Sequence, residues 1–483
     1  MSYYFGKYVI IKRVIKMYVA ITGKGKSRVI QFCEQHRIAK TNKKKTVVIK
    51  TIGNYETLLK ENPNIIFELK EEAKKITEEK KKNISKNILF RFGHSLVHSL
   101  WKEIGVSKIL GESLSKTLFS LVIYRLGSSY STFLENRKTP FLNLESVSHS
   151  DFYKTLLEVE KKEKDLIECF NKFFEKKVKR ENSLAYYHMS SYKYNSYWKV
   201  LYGLSSSDFQ EVEEDLSFDM ILLFDSYGIP ISYQLFMKEK FSENKLKELK
   251  KILKISKFIL ISTQEGKLRD KSFISPILFE NLDFEIQKEI LKETKWKVIE
   301  KDIKTDEVLE KDKIIDIDGN LKLYVYWAKK RAFKDYIEKN NRNGYIYIIT
   351  DEETLEAQEI SNIFQYTWNI EDKFKITDVD FSEKHLHGHF TLCYICLCII
   401  RYFQYLLGSD GKAFVPMIYA NKAISNPMIF MEKKGNELFL NPIHLTNSYL
   451  KLSKILGLGE FSQEMSVEKF EKNSGLKINN ILL

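Results

Sequence analysis

The stretch that most constrains the fold runs from Asn362 to Gly408, NIFQYTWNIEDKFKITDVDFSEKHLHGHFTLCYICLCIIRYFQYLLG. Within it, Phe390 to Ile400 is an uncharged, largely apolar run of eleven residues that ends at Arg401. A membrane-spanning helix needs ~20 such residues. The run therefore reads as a buried core helix, and the rest of the chain has to supply the elements that wrap it. Upstream, Phe364, Trp368, Glu371 and Lys375 recur three and four apart, which places aromatics and Glu371 on one helical face, with Asp372 beside it. Such a helix can deliver one acidic ligand to a site built by a neighbouring sheet.

At 483 residues, the chain exceeds what one hydrophobic core organises, so two to four domains are expected. Its five cysteines, Cys33, Cys169, Cys393, Cys396 and Cys398, are odd in number and three crowd one apolar segment. That pattern argues against a secreted disulfide framework and for a reducing cytoplasm. Lys7, Lys12, Arg13 and Lys16 interrupt the first twenty residues, which therefore do not read as a signal peptide. The net charge is +14, and Met1 to Lys82 hold 20 Lys or Arg against 8 Asp or Glu, so nearly all of the excess sits there. A basic block of this kind points to a polyanion, nucleic acid before membrane.

In chain order, MYVAIT (Met17 to Thr22), RVIQFC (Arg28 to Cys33) and VVIKTI (Val47 to Ile52) read as strands bounded by Gly23, Gly25 and Gly53. Lys43, Lys44 and Lys45 fall at a loop of this module, where a lysine triplet suits either a row of phosphates or a solvated turn. A charged helix is expected from Pro63 to Asn83, with Leu69, Ala73 and Ile76 as its apolar stripe. Helical spacing then dominates from Ile88 to Lys177 and predicts a separate all-α domain in which His94 and His98 carry no chemistry.

The pattern changes at Ser183. LAYYHM (Leu184 to Met189), FDMILLF (Phe218 to Phe224) and PISYQLF (Pro230 to Phe236) read as strands, the last two joined at Tyr227-Gly228. A helix capped by Ser242 follows, with Leu246, Leu249 and Ile252 expected inward, and then FILIS (Phe258 to Ser262) as a buried strand. The order β-β-β-α-β is that of a ribonuclease-H-like sheet. An insertion from Lys267 to Asn343 breaks it, with strands at Trp296 to Ile299 and Leu321 to Tyr326 and a basic helix start at Lys329, Lys330 and Arg331. YIYIIT (Tyr345 to Thr350) returns to the sheet. The segments are thus a basic β module and charged helix (1–85), a helical domain (86–182), the core in two parts (183–266 and 345–410), a β-rich insertion (267–344) and a tail (411–483) in which Ile455 and Leu456 indicate one more helix.

This order resembles that of the DDE transposases of bacterial insertion sequences, in the subgroup with a β-rich insertion and a Tyr-Arg-Glu-Lys signature. The resemblance rests on Tyr187-His188-Met189-Ser190-Ser191, Gly228-Ile229-Pro230, Thr263-Gln264-Glu265-Gly266, Ala328 to Asp335 (AKKRAFKD), Trp368 to Lys375 (WNIEDKFK) and Gly388-His389-Phe390. It covers nearly the whole chain. It implies cleavage and joining of double-stranded DNA by two Mg²⁺ ions on three carboxylates, and a homodimer that pairs DNA ends.

Carried over position by position, the first acid is His188, the second Gln264, and Glu371 alone is retained. The signature's tyrosine, arginine and lysine positions hold Phe364, Thr367 and Asp378. The expectation is therefore a cytoplasmic, bacterial, nucleoid-associated DNA-binding protein of transposase lineage that needs no cofactor because its chemistry is lost. Lys43, Lys44, Lys45, Lys329, Lys330 and Arg331 would contact DNA, and no membrane is involved. A working transposase with misplaced acids, or a mixed His188 and Glu371 metal site, is the alternative enzyme reading. A repurposed structural or partner-binding protein without DNA contact is the other alternative.

Among other constellations, Asp219 and Asp225 are acids whose place relative to the site the sequence does not give. His385, His387 and His389 followed by the cysteines invite a zinc reading, but the spacing favours core cysteines. Tyr186, Tyr187, Tyr192, Tyr194, Tyr197 and Trp198 are read as filling the faces of the sheet.

Overall fold

The computed structural model describes residues 14–37, 44–84, 89–127, 141–178, 180, 184–195, 215–236, 243–261, 272–293, 296–298, 311–318, 320–337, 343–367, 370, 374, 382–409, 414–434, 437–461 and 464–478. They form two compact units, one built on Met1–Ile88 and the other on Leu89–Ile429 with Lys433–Asn479.

In the first unit, β1 (Val14–Thr22), β2 (Val29–Arg37) and β3 (Lys44–Asn54) form an antiparallel sheet in chain order. Gly23 turns the chain between β1 and β2 at φ +99°, where a Cβ would sit 2.6 Å from the Ser27 carbonyl oxygen. The side chain of Asn54 accepts from the backbone N–H groups of Glu56 and Thr57 and so starts α1 (Tyr55–Glu61). The long charged helix α2 (Ile65–Ile84) lays Leu69 and Ala73 on Met17, Ile30 and Phe32, with Ile76 packed alongside. Thr77 pins it by accepting from the Met17 N–H at 3.0 Å. The strands and the apolar stripe expected from sequence are all present.

The second unit begins with β4 (Leu89–Arg91) and the helices α3 (Ser95–Ile104), α4 (Ser107–Leu110), α5 (Glu112–Gly127), α6 (His149–Lys161) and α7 (Glu163–Lys177). The chain then builds β5 (Leu184–Asn195), β6 (Asp215–Phe224), β7 (Pro230–Phe236), α8 (Glu243–Leu253), β8 (Lys257–Ile261) and β9 (Phe273–Pro276). After α9 (Phe284–Leu291) come β10 (Lys297–Val298), β11 (Lys311–Asp318), β12 (Leu321–Trp327), α10 (Lys329–Ile337) and β13 (Tyr345–Thr350). These strands make one nine-stranded mixed sheet in the order β10-β11-β12-β13-β9-β8-β5-β6-β7. β5, β6 and β7 are an antiparallel meander, β5, β8 and β9 run parallel, and β13, β12, β11 and β10 extend the far side antiparallel.

Beyond the sheet lie α11 (Ala357–Thr367) and α12 (Glu383–Leu407). The side chain of Ser382 caps α12 by accepting from the His385 N–H. Among the described residues, α12 is the one helix long and apolar enough to cross a membrane, and it is buried within the unit. It is wrapped by α5, α6, α7, β7, α13 (Met417–Ser425) and α14 (Asn447–Ile455). At Gly388 the helices are so close that a Cβ would lie 2.1 Å from the Leu156 carbonyl oxygen of α6. The helices of the 86–182 segment close on α12 and β7, which places them in the same unit as the sheet.

Three expectations change. Ile252 faces solvent at 73% exposure, and Leu249 and Leu253 pack on the sheet in its place. β9, which joins the large sheet beside β8, lies inside what reads as the insertion; four residues ending in Pro276 are too few to show an alternation. The tail adds α13, β14 (Met428–Lys434), β15 (Glu437–Ile443), α14, β16 (Met465–Ser466) and α15 (Val467–Ser474), with a sheet ordered β16-β15-β14-β4, where one helix was expected.

Candidate functional site

β5 is the pivot of the large sheet, antiparallel to β6 on one side and parallel to β8 on the other. Because side chains alternate along a strand, Tyr186, His188, Ser190 and Tyr192 share one face and Tyr187, Met189 and Ser191 the other. The first face turns toward α12: the Tyr192 ring lies 5.3 Å from Phe390, which in turn lies 5.4 Å from Phe374. The second carries a core of Ala185, Tyr187, Ile221, Leu223 and Leu260 beneath α8. Tyr186, Tyr187 and Tyr192 thus fill the faces of the sheet, as read from sequence; the side chains of Tyr194, Tyr197 and Trp198 are outside those described.

His188 is wholly buried, and its Nδ1 lies 3.2 Å from the Ile261 carbonyl oxygen on β8, the residue directly beside it in register. A carbonyl only accepts, so Nδ1 carries the proton in this bond. Gln264 lies three positions past the end of β8 and, like Glu371, is outside the described residues. Ile370 and Phe374, which flank Glu371, are helical and buried. At the signature positions, Phe364 is buried and Thr367 donates its hydroxyl to the Phe364 carbonyl at 2.7 Å, a bond within its own helix; Asp378 is outside the described residues.

Neither nearby acid joins His188. Asp219 pairs in register with Ser191, on the face opposite His188, and accepts the Ser191 hydroxyl at 2.7 Å. Asp225 lies beyond the end of β6 and is taken up by the turn: its Oδ1 accepts from the Tyr227 and Ile229 N–H groups, each at 2.9 Å, and its Oδ2 from Arg180 Nε at 2.9 Å. Burial pushes the Asp225 carboxyl up from its ordinary range and Arg180 pulls it back. Arg180 also donates to Asn171, which bonds the Ile231 carbonyl, so the pair braces α7 against the β6–β7 hairpin. The sequence signal for this was Asp225-Ser-Tyr-Gly228, an acid at the first position and glycine at the fourth of a turn. Gly228 takes φ +71° against the Tyr366 ring.

Among the described residues, no group of three or more His, Cys, Asp or Glu side chains is placed to hold a metal ion. The histidines of α12 are engaged separately. His385 Nδ1 bonds the Ser382 hydroxyl, His387 Nδ1 lies 3.5 Å from Glu163, and His389 Nε2 lies 3.4 Å from Cys393 Sγ. Hydrogen bonding to Glu163 raises His387, whereas burial lowers His385. Cys393, Cys396 and Cys398 are buried in the core of the unit. Of the expected DNA contacts, Lys329 is exposed at the start of α10, and Lys330 and Arg331 continue the same helix. Lys44 and Lys45 stand at the start of β3 rather than in a loop, and Lys43 is outside the described residues. The side chains of Lys44, Lys45, Lys330 and Arg331 are not among those described.

The chain matches no family model, no curated protein and no solved structure.

Proposed function

We propose that this is a DNA-binding protein of transposase lineage, with a ribonuclease-H-like core that no longer cuts DNA. The strand order supports the fold reading. A meander β7-β6-β5 continued by parallel β8 and β9, with helix α8 between β7 and β8, fits a ribonuclease-H-like order, with β10 to β13 as an insertion ahead of the helix that leads to Glu371.

The observation that carries the loss of chemistry is His188. In this arrangement the middle of the first strand holds a carboxylate for the catalytic metal. Here it holds a buried imidazole whose Nδ1–H is engaged by the neighbouring strand. Mg²⁺ demands hard oxygen ligands. The donor set on the described residues does not fit that ion.

Binding to duplex DNA would rest on the basic first unit and on Lys329, Lys330 and Arg331 of α10. If six to ten phosphates are neutralised, affinity falls ~10³- to 10⁵-fold between 50 and 200 mM salt. A mobility-shift titration tests this, and binding that is absent, or flat with salt, would refute it. A nicking assay in Mg²⁺ and in Mn²⁺, with Glu371→Ala as control, tests the loss of cleavage. Cutting by the parent chain that the variant abolishes would restore the active-transposase reading.

A further inference from the structure

The connection between β12 and β13 is α10, KKRAFKDYI, seated at the end of that hairpin. Its inner side is defined by close contacts. A Cβ on Gly344 would lie 2.6 Å from the Ala332 methyl. Asp335 is buried and accepts the Gly344 N–H at 2.8 Å. The helix's only acid is therefore turned into the protein. Facing solvent are Phe333, Tyr336 and Ile337, exposed at 66%, 78% and 62%, together with Lys329. Positions 333, 336 and 337 are neighbours on a helix, so the three form one apolar patch. Four cations, Lys329, Lys330, Arg331 and Lys334, belong to the same nine-residue segment.

Two exposed aromatic rings, an exposed Lys329 in a segment that carries four cations, and a withdrawn carboxylate match one kind of occupant, a strand with negative charges along its backbone and flat faces to stack. We propose that α10 is a stacking platform for unpaired bases of nucleic acid, Phe333 and Tyr336 receiving the bases and the helix's cations the adjacent phosphates. A base-paired duplex hides its base faces and would engage only the cations. An anionic membrane surface is disfavoured, because nine residues with three apolar side chains present too little surface to insert. The inference deepens the DNA-binding reading above and rests on it.

The test uses the full chain and three probes: a 24-base-pair duplex, the same duplex with a central four-nucleotide gap carrying 2-aminopurine, and an anionic phosphatidylcholine–phosphatidylserine vesicle. The parent should bind the gapped DNA more tightly than the intact duplex and quench the 2-aminopurine. Phe333→Ala with Tyr336→Ala should weaken gapped binding ~10-fold or more, leave duplex binding unchanged and abolish the quench. Tyr336→Phe should retain all three. Because both rings are exposed, the variants should keep the parental circular-dichroism melt, which separates a binding effect from misfolding. Equal affinity for gapped and intact duplex, or a variant that keeps the preference, overturns the platform and leaves the DNA-binding reading standing. Failure to bind either DNA overturns both. Vesicle binding that the double variant loses, without any preference for gapped DNA, assigns the patch to membranes and overturns the inference.

Discussion

Replacing His188 by aspartate installs the residue type that the proposed lineage would carry there, and the buried surroundings of that position determine the cost. The imidazole is wholly buried, and its Nδ1–H is donated to the Ile261 carbonyl at 3.2 Å. An aspartate there removes the donor and brings a negative group toward that carbonyl dipole. Burial of this degree should raise the carboxyl by roughly 3 units, or about 4 kcal/mol of penalty once it is ionised. The folded-state pKa is then above the unfolded one. The penalty is absent below about pH 4, where both states are protonated, grows as pH rises and is complete once pH passes the folded value. Urea denaturation should therefore find His188→Asp about 4 kcal/mol less stable than the parent at pH 8, with a smaller gap at pH 5. His188→Asn, which carries no charge, should lose only about 1–2 kcal/mol at both pH values. Magnesium enters as a diagnostic. A surviving carboxylate–metal site would recover about 2.7 kcal/mol at a hundredfold excess over its Kd, whereas a site rebuilt around imidazole recovers nothing. A His188→Asp variant that matches the parent at pH 8, or that 10 mM Mg²⁺ restores, would refute the argument.

The buried Asp225–Arg180 pair should behave as a unit: Asp225→Asn strands the guanidinium and should cost about 3–5 kcal/mol, while Asp225→Asn combined with Arg180→Met should recover most of it, as read by a double-mutant cycle in urea. Additive single effects would mean that the two do not interact. Burial lowers His94 to about 3 from 6.5, so its neutral form is favoured by folding; stability should fall as pH drops from about 6.5 toward 3, and His94→Phe should flatten that acid limb in a thermal-melt series. Gly388→Ala gains about 1 kcal/mol of helix propensity but drives a methyl onto the Leu156 carbonyl oxygen at 2.1 Å, which backbone cannot relieve cheaply. Overpacking of about 1–3 kcal/mol or more should win, and the thermal midpoint should drop; a rise would show that α6 and α12 can separate without cost.

Elements were legible in the sequence where burial is two-sided or alternating. FILIS announces a strand because β8 is buried on both faces beyond Lys257, and YIYIIT because buried Ile346, Ile348 and Thr350 alternate with half-buried residues. The run from Phe390 announces α12 for the same reason as FILIS, and its wrapping by α5, α6 and α7 follows from its lack of any polar face. The misses are elements whose signal is not periodic. β9 is held by its partners in register rather than by its own residues. Ile252 looked inward because it completes a spacing with Leu249, yet Leu253 takes that place on the sheet. At the site, position alone was readable. That His188 would donate to the neighbouring strand, and that Asp225 would be consumed by its own turn, depends on pairing across strands which no local window carries.

On the proposed reading, the loss of acids and the persistence of the fold are one fact rather than two. Carboxylates converging on a metal repel one another when the ion is absent, so such a site is a local source of instability that the surrounding structure must offset. Here the central strand is held instead by groups that need no ion: Tyr192 and Phe218 against Phe390, Tyr186 stacked on Phe224, and His188 bonded to β8. A hydrogen-bond donor at the acid's position removes one partner of the repulsion and adds a cross-strand bond. Under the proposed reading, that exchange stabilises the sheet once cutting is no longer required. On that reading β5 serves as the central beam of the sheet, and α10 carries the proposed nucleic-acid contact.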